Sequence, residues 1–284
     1  MLVRQVCQLF CMFLVDLGVE KFECLGSFCE DKIVNQSIAS NTTSEAILHR
    51  MQQFMSNSPV PSISTELLVT AKGELNQELH KFLFDPPSNP SLLKGKKIAI
   101  CCTNGVEEIE ILGAKRWLQE HGATVHIVSP RIGEFPASLG LRFPLQTKTH
   151  VLAIRLMENA GWLPIDAYVE DVKVADYDAV ILPGGAWNPD ALRMSKEACD
   201  FTREMHEAGK PTCAICHGQW VMVSARMLKG KKATAVWNIQ IDLENAGAIV
   251  SDEPCVVDGN LITARFPYDL PRMIDAMVKQ LLVA

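Results

Sequence analysis

From residue 97 onward the chain repeats one pattern: a short unbroken apolar run, a turn, then a stretch with helical period. Lys97-Ile-Ala-Ile-Cys-Cys102 leads to a helix over roughly 108–121 that ends at Gly122, and Ala123-Thr-Val-His-Ile-Val128 is the next strand. Asp178-Ala-Val-Ile-Leu182 runs into Pro-Gly-Gly and a helix of about 195–208. Pro211–Ile215 is a strand, and 218–228 a helix stopped by Gly230. Strands that do not alternate apolar and polar residues are buried on both faces, which a parallel sheet with helices on each side requires. Cys255–Val257 and Leu261–Ala264, joined by Asp258-Gly-Asn, read as a late hairpin, and a last helix starts near Asp269 with Pro271 in its first turn. The expected fold is therefore α/β: a doubly wound, mostly parallel, flavodoxin-like sheet over residues 96–284. Upstream, the Pro/Ser/Asn clusters at 56–61 and 85–90 mark turns and a domain boundary. Residues 1–95 form an N-terminal extension, partly helical (Ser44–Met55, Glu66–Phe84), to which no function is assigned.

In such sheets ligands bind beyond the carboxyl ends of the strands. Three loops fall there: Thr103–Glu110, Pro183–Asp190 and Cys216–Gly218. The third carries Cys213-Ala-Ile-Cys216-His217, a C-x-x-C-H spacing with several readings. Covalent haem attachment is disfavoured because the first cysteine lies inside an apolar strand. A disulfide pair needs Cα atoms within about 7 Å. Three residues of extended strand would hold these ~10 Å apart. A single nucleophile at Cys216 fits the strand–Cys–His–Gly–helix order, which resembles a nucleophile elbow. Gly218 would let the helix pack close to the turn, and the helix start would lower the thiol pKa and hold an oxyanion. An inert core cysteine is the plain alternative.

Composition narrows the partners. A net charge of −6 with no Lys/Arg cluster argues against nucleic acid or an anionic membrane, and 48% hydrophobic content suits a well-cored globular domain. Ten cysteines would suit a small secreted scaffold, but here they sit in apolar runs as small hydrophobes, so a reducing, cytoplasmic setting is expected. Residues 1–15 resemble a short signal core, but Asp16 ends it early and it is too short to span a bilayer. No Cys/His spacing looks like a zinc site, so neither metal nor cofactor is expected. Among the carboxylates of Asn104-Gly-Val-Glu-Glu-Ile-Glu110, Glu107 and Glu108 read as a solvated helix start. Glu110 sits at a helical position facing the sheet end, within reach of a thiolate.

Several segments together resemble the ThiJ/PfpI family. They are Val106-Glu-Glu-Ile-Glu110, Tyr177-Asp-Ala-Val-Ile-Leu-Pro-Gly-Gly185, Ala214-Ile-Cys-His-Gly-Gln219, Asn245-Ala-Gly-Ala248 and Val256-Val-Asp-Gly-Asn-Leu-Ile-Thr-Ala264. The family includes intracellular PfpI proteases, glyoxalase III-type enzymes and a deglycase. The resemblance implies Cys216 as nucleophile, Glu110 as its buried acid partner, and His217 as the histidine beside it. It also implies an oxyanion hole from the backbone N–H groups of Gly185 and His217. Asp190 matches, one residue displaced, the carboxylate with which a neighbouring subunit orients that histidine, so a homodimer or larger homo-oligomer is implied. Trp187 and Trp220 are candidate pocket walls, and the long segment 131–168 a candidate roof. The chemistry implied is cofactor-free attack on a small carbonyl substrate or a glycated protein. A cysteine peptidase and a non-enzymatic oxidation sensor or chaperone are the rivals. No histidine follows His217, so the His-x-Glu order of the amidotransferase relatives is absent.

Overall fold

The computed structural model describes residues 73–131, 148–155 and 158–283. The expected helix at 44–55, most of the expected extension, and part of the expected roof lie outside the described residues.

The apolar runs are the strands foreseen. Strands β1 (Lys97–Cys101), β2 (Val106–Glu107), β3 (Thr124–Ser129), β4 (His150–Arg155), β5 (Glu158–Pro164), β6 (Ala167–Tyr168), β7 (Ala179–Leu182) and β8 (Thr212–Ile215) precede β9 (Lys232–Ala233), β10 (Ile249–Val250), β11 (Cys255–Asp258) and β12 (Leu261–Ala264). Among the described residues the main sheet has seven strands in the order β11-β12-β8-β7-β1-β3-β6. All neighbours in it are parallel except the β11/β12 hairpin, whose register pairs Asp258 with Leu261 across the Asp258-Gly-Asn turn. β7 and β8 are buried at every position and β1 at all but its first, so each strand loses water on both faces.

Seven helices lie among the described residues: α1 (Glu74–Phe84), α2 (Glu108–Glu120), α3 (Trp187–Leu192), α4 (Lys196–Glu207), α5 (Gln219–Ser224), α6 (Gln240–Asn245) and α7 (Leu270–Val283). Ser195 caps α4, its Oγ accepting from the Ala198 N–H at 3.1 Å. The helix expected over 218–228 closes four residues early at Ser224, and Arg226 has a left-handed φ of 59°.

Two features matter most among those not foreseen. β4 and β5 form an antiparallel hairpin that joins β2 in a separate three-stranded sheet, with Val106 beside Ala153 and Glu107 beside Ile154. The hairpin therefore packs against the first site loop. In addition, α1, upstream of residue 96, is fastened to α2 and α7. Leu79, Leu83 and Leu93 are buried in the common core, the Arg116 guanidinium donates to the Leu83 carbonyl, and Arg272 grips the Glu78 carboxylate at 2.7 and 3.0 Å. Each buried leucine removes apolar surface worth about 2 kcal/mol, so this helix is held by its own side chains.

Candidate active site

The three loops expected at the strand ends meet at Cys216. The residue directly follows β8 with φ at 64°, a left-handed backbone that a non-glycine residue holds only when its surroundings impose it. The elbow is tied on both sides: Cys216 donates its N–H to the Ala264 carbonyl at 3.2 Å, and its own carbonyl accepts from Val236 at 3.2 Å. A Cβ on Gly218 would stand 2.2 Å from the Leu182 carbonyl oxygen, so only glycine lets α5 leave the turn so close to β7. Cys213, three residues back, is a buried strand residue, and both thiols are free.

The Gly184-Gly185 loop closes over the thiol. A Cβ on Gly184 would lie 2.5 Å from the Cys216 Cβ, 2.9 Å from Glu110 Oε2 and 3.0 Å from the Cys216 Sγ. That contact is why Glu110 and Cys216 can share one space. Gly185 takes a φ of 77°, and its backbone N–H, with that of His217, donates to the Cys216 sulfur. The Gly184 N–H donates to Glu110 Oε2 at 2.5 Å. Glu110 itself is fully buried, and its Oε1 has no hydrogen-bond partner among the described residues.

Electrostatics here differ from the sequence expectation. The helix start was expected to lower the thiol pKa. Instead burial, followed by the charges of Glu110 and Glu107, pushes Cys216 well up, and the two backbone N–H donors only moderate this. The helix behind it has six residues and little dipole to offer. Burial likewise raises Glu110 to about 8, aided by Glu107 and opposed by the Gly184 N–H and the Cys216 hydrogen bond. At neutral pH burial therefore favours the protonated carboxyl, and once Glu110 ionises the thiol donates to it. Burial also holds His217 below its ordinary value, so its imidazole is neutral. His217 Nδ1 lies 3.2 Å from Sγ and its ring packs edge-on against Trp220 at 5.2 Å. The site thus holds a protonated thiol with a neutral base beside it.

Other expectations are corrected. Glu107 and Glu108 are not a solvated helix start: both are buried, and Glu108 Oε2 accepts from Arg155 Nε at 2.7 Å, a cation supplied by the β4–β5 hairpin. For Asp190 the implied contact is with the histidine of a neighbouring subunit, not with His217 of its own chain. Asp190 is exposed on α3, whereas His217 Nε2 lies 3.2 Å from Asn238 Nδ2. Trp187 is 64% exposed, and the near approach of its Cβ is to Gly105. Trp220 packs half-buried against the His217 ring, with its indole N–H donating to Asp242 at 2.8 Å.

Sequence reasoning missed two asparagines. Asn188 is fully buried. Its Oδ1 accepts from the Thr103 N–H at 2.7 Å while its Nδ2 donates to the Pro183 and Gly184 carbonyls at 2.8 and 3.1 Å. One side chain thereby fixes the glycine loop to the end of β1. Its place four residues past Gly184 was the available signal, since asparagine readily bonds nearby backbone. Asn238 had none. Among the described residues no group of three His, Cys, Asp or Glu side chains could hold a metal ion, and no helix is long and apolar enough to cross a membrane.

Known proteins resemble this chain in sequence and fold. The "Deglycase TK1284" of Thermococcus kodakarensis is 31% identical over 185 residues, covering 65% of this chain and 99% of its own. "Protein/nucleic acid deglycase 2" of Escherichia coli is 34% identical over 177 residues, covering 62% of this chain and 92% of its own. Among solved structures, a two-domain protein from Anabaena variabilis with DJ-1/ThiJ/PfpI-like and ferritin-like domains superposes with a TM-score of 0.56 at 32% identity. The match covers 66% of this chain and 50% of that one. The DJ-1/PfpI family model matches residues 96–280, from the residue before β1 into the last turn of α7, and the chain belongs to that family.

Proposed function

We propose that this protein is a cysteine-dependent enzyme for reactive carbonyls, converting 2-oxoaldehydes such as methylglyoxal to hydroxy acids and removing early glycation adducts. The observation that carries it is the placement of one thiol between two backbone donors, a neutral imidazole at 3.2 Å and a protonated buried carboxyl. The deglycase names of the two relatives support the same class of substrate.

Each step follows from this geometry. The Cys216 thiol gives its proton to His217 Nδ1 as sulfur adds to the aldehyde carbon; a C–S bond forms and the carbonyl π electrons move to oxygen. The N–H groups of Gly185 and His217 receive that oxyanion, and the imidazolium returns the proton to give a hemithioacetal. His217, neutral again, moves the proton of the former aldehyde carbon to the adjacent carbon while the hydroxyl proton passes from the first oxygen to the second, leaving a 2-hydroxy thioester on Cys216. Water hydrolyses the thioester, restoring the thiol and releasing the hydroxy acid. The net change is addition of one water, with no oxidant or reductant. Glu110, as an O–H donor, stabilises sulfur whenever it carries charge. A glycated side chain enters the same sequence when its hemiaminal or hemithioacetal collapses, the hydroxyl proton passing to the departing amine or thiol, and frees the aldehyde that Cys216 attacks.

A thiol that is protonated and buried is a poor resting target for peroxide, which favours the enzyme over an oxidation sensor. The family resemblance also carries a homodimer, which light scattering on the purified protein tests. The enzymatic reading is tested by following lactate release from methylglyoxal without glutathione, for the native protein and Cys216→Ser. Turnover lost in the variant supports it. Absence of turnover in the native protein, with peptides cleaved instead, would replace it with a peptidase.

A further inference from the structure

Two nitrogens of one imidazole have to be managed in the reaction above, and only one of them faces sulfur. The other, Nε2, is met by the carboxamide of Asn238 at 3.2 Å. We infer that Asn238 is the positioning residue for His217, holding its ring over Cys216 and following its tautomer from within the same chain.

Asn238 lies in the 3-10 turn Trp237–Ile239, twenty-one residues beyond the histidine. That turn is anchored independently of the histidine. The Val236 N–H donates to the Cys216 carbonyl at 3.2 Å, fixing the turn to the elbow itself. The Trp237 indole N–H donates to both Asp252 oxygens at 3.1 and 3.2 Å, and Arg265 donates to Asp252 Oδ1 at 2.9 Å and to Asp269 Oδ2 at 3.0 Å. The Arg265 guanidinium also lies over the Trp237 ring, 5.7 Å from its centroid. Asn238 is thus presented by a braced loop although its own side chain is exposed.

A carboxamide suits this task because it is both donor and acceptor. With Nδ2 toward Nε2 it donates to the ring lone pair and favours the tautomer that carries its proton on Nδ1, facing a thiolate. After a half-turn, Oδ1 accepts from Nε2–H and leaves the Nδ1 lone pair free to take the thiol proton. The same orientation serves the imidazolium, whose two N–H groups both need acceptors. A carboxylate could only accept, and would add a charge. The charged groups around the ring and its sulfur are Glu110 and Glu107 on the sulfur side, Arg193 over Trp220 at 5.6 Å, Asp242 on the Trp220 indole, and Arg265 with Asp252 and Asp269 behind Trp237. Burial keeps the imidazole neutral, so its tautomer rather than its charge is what a neighbour can set.

This inference rests on reading Cys216 as nucleophile and His217 as its base, so its test uses no carbonyl substrate. The rate of Cys216 alkylation by iodoacetamide, located by peptide mass mapping, is followed from pH 5 to 9 in the full chain. Imidazole nitrogen NMR shifts are recorded alongside. Asn238→Leu should slow alkylation at pH 7 by about three- to tenfold, the worth of one hydrogen bond, and move the His217 nitrogen shifts toward a tautomer mixture. Asn238→Asp should shift the alkylation profile to lower pH by stabilising the imidazolium. Profiles for both variants that overlay the native one would overturn the assignment. So would equal losses at every pH with unchanged nitrogen shifts, the mark of a merely structural role. An Asn238-dependent profile in a protein that fails to turn over methylglyoxal would sink the proposed reaction and leave this assignment standing.

Discussion

Glu110 gives the sharpest quantitative consequence of the site. Its carboxyl is fully buried, with the Gly184 N–H as its hydrogen-bonded neighbour, and its pKa rises from 4.5 to about 8. Between those values the folded protein binds one proton more than the unfolded chain. Stability therefore falls as pH rises through that window and levels off above about 8. At about 1.4 kcal/mol per unit, three and a half units amount to about 5 kcal/mol. Glu110→Gln keeps the shape and an oxygen for the Gly184 N–H but removes the titration. The variant should match the native protein near pH 5 and exceed it by up to about 5 kcal/mol near pH 8.5. For a chain of this size, about 2–4 °C of melting temperature per kcal/mol makes that a gap of about 10–20 °C. Denaturant unfolding of both proteins at half-unit steps from pH 4.5 to 9 reads the difference directly. His217, whose lowered pKa works in the opposite direction below pH 6.5, cancels in the comparison. Parallel stability curves for the two proteins would refute the claim that a protonated carboxyl sits beside Cys216.

Three further outcomes are expected. Gly184→Ala would bring a methyl group within 2.5 Å of the Cys216 Cβ; it should cost about 1–3 kcal/mol and abolish Cys216 alkylation, which unfolding and mass mapping check together. Arg155→Met should destabilise by about 3–5 kcal/mol because it takes the cation from the buried Glu108 carboxylate, and pairing it with Glu108→Gln should restore most of the loss in a double-mutant cycle. Leu83→Ala, in the helix that precedes the family-model match, should cost about 2–5 kcal/mol of global stability; a change confined to local protease sensitivity near residue 83 would contradict the packing of α1 described above.

What the sequence disclosed and what it withheld divide along physical lines. The strands of the main sheet other than the two-residue edge strand β6 were legible because burial on both faces leaves unbroken apolar runs, as in Ala179–Leu182 and Thr212–Ile215. The elbow was legible because strand, cysteine, glycine and helix are consecutive. Glu110 was found because helical period alone carries it to the sheet end. Burial of Glu107 and Glu108 was misjudged since it depends on Arg155 and a hairpin some fifty residues away, and the expected roof had not been read as strands. The direction of the thiol pKa was misjudged because a helix start was credited with a dipole, when the helix has six residues and desolvation acts on every buried charge. Asn188 and Asn238 act through contacts to residues 85 and 21 positions away, and neither lies in a periodic segment. The turn holding Asn238 depends on Asp252 and Arg265, a pairing that no local pattern announces.

The account turns on Cys216 being the one reacting sulfur. The most direct measurement is lactate formation from methylglyoxal, without glutathione, by the native protein, Cys216→Ser and Cys213→Ser side by side. The account predicts turnover by the native protein and by Cys213→Ser, with none above background in Cys216→Ser. Turnover that survives in Cys216→Ser, or that is lost equally in Cys213→Ser while the protein stays folded, would contradict it.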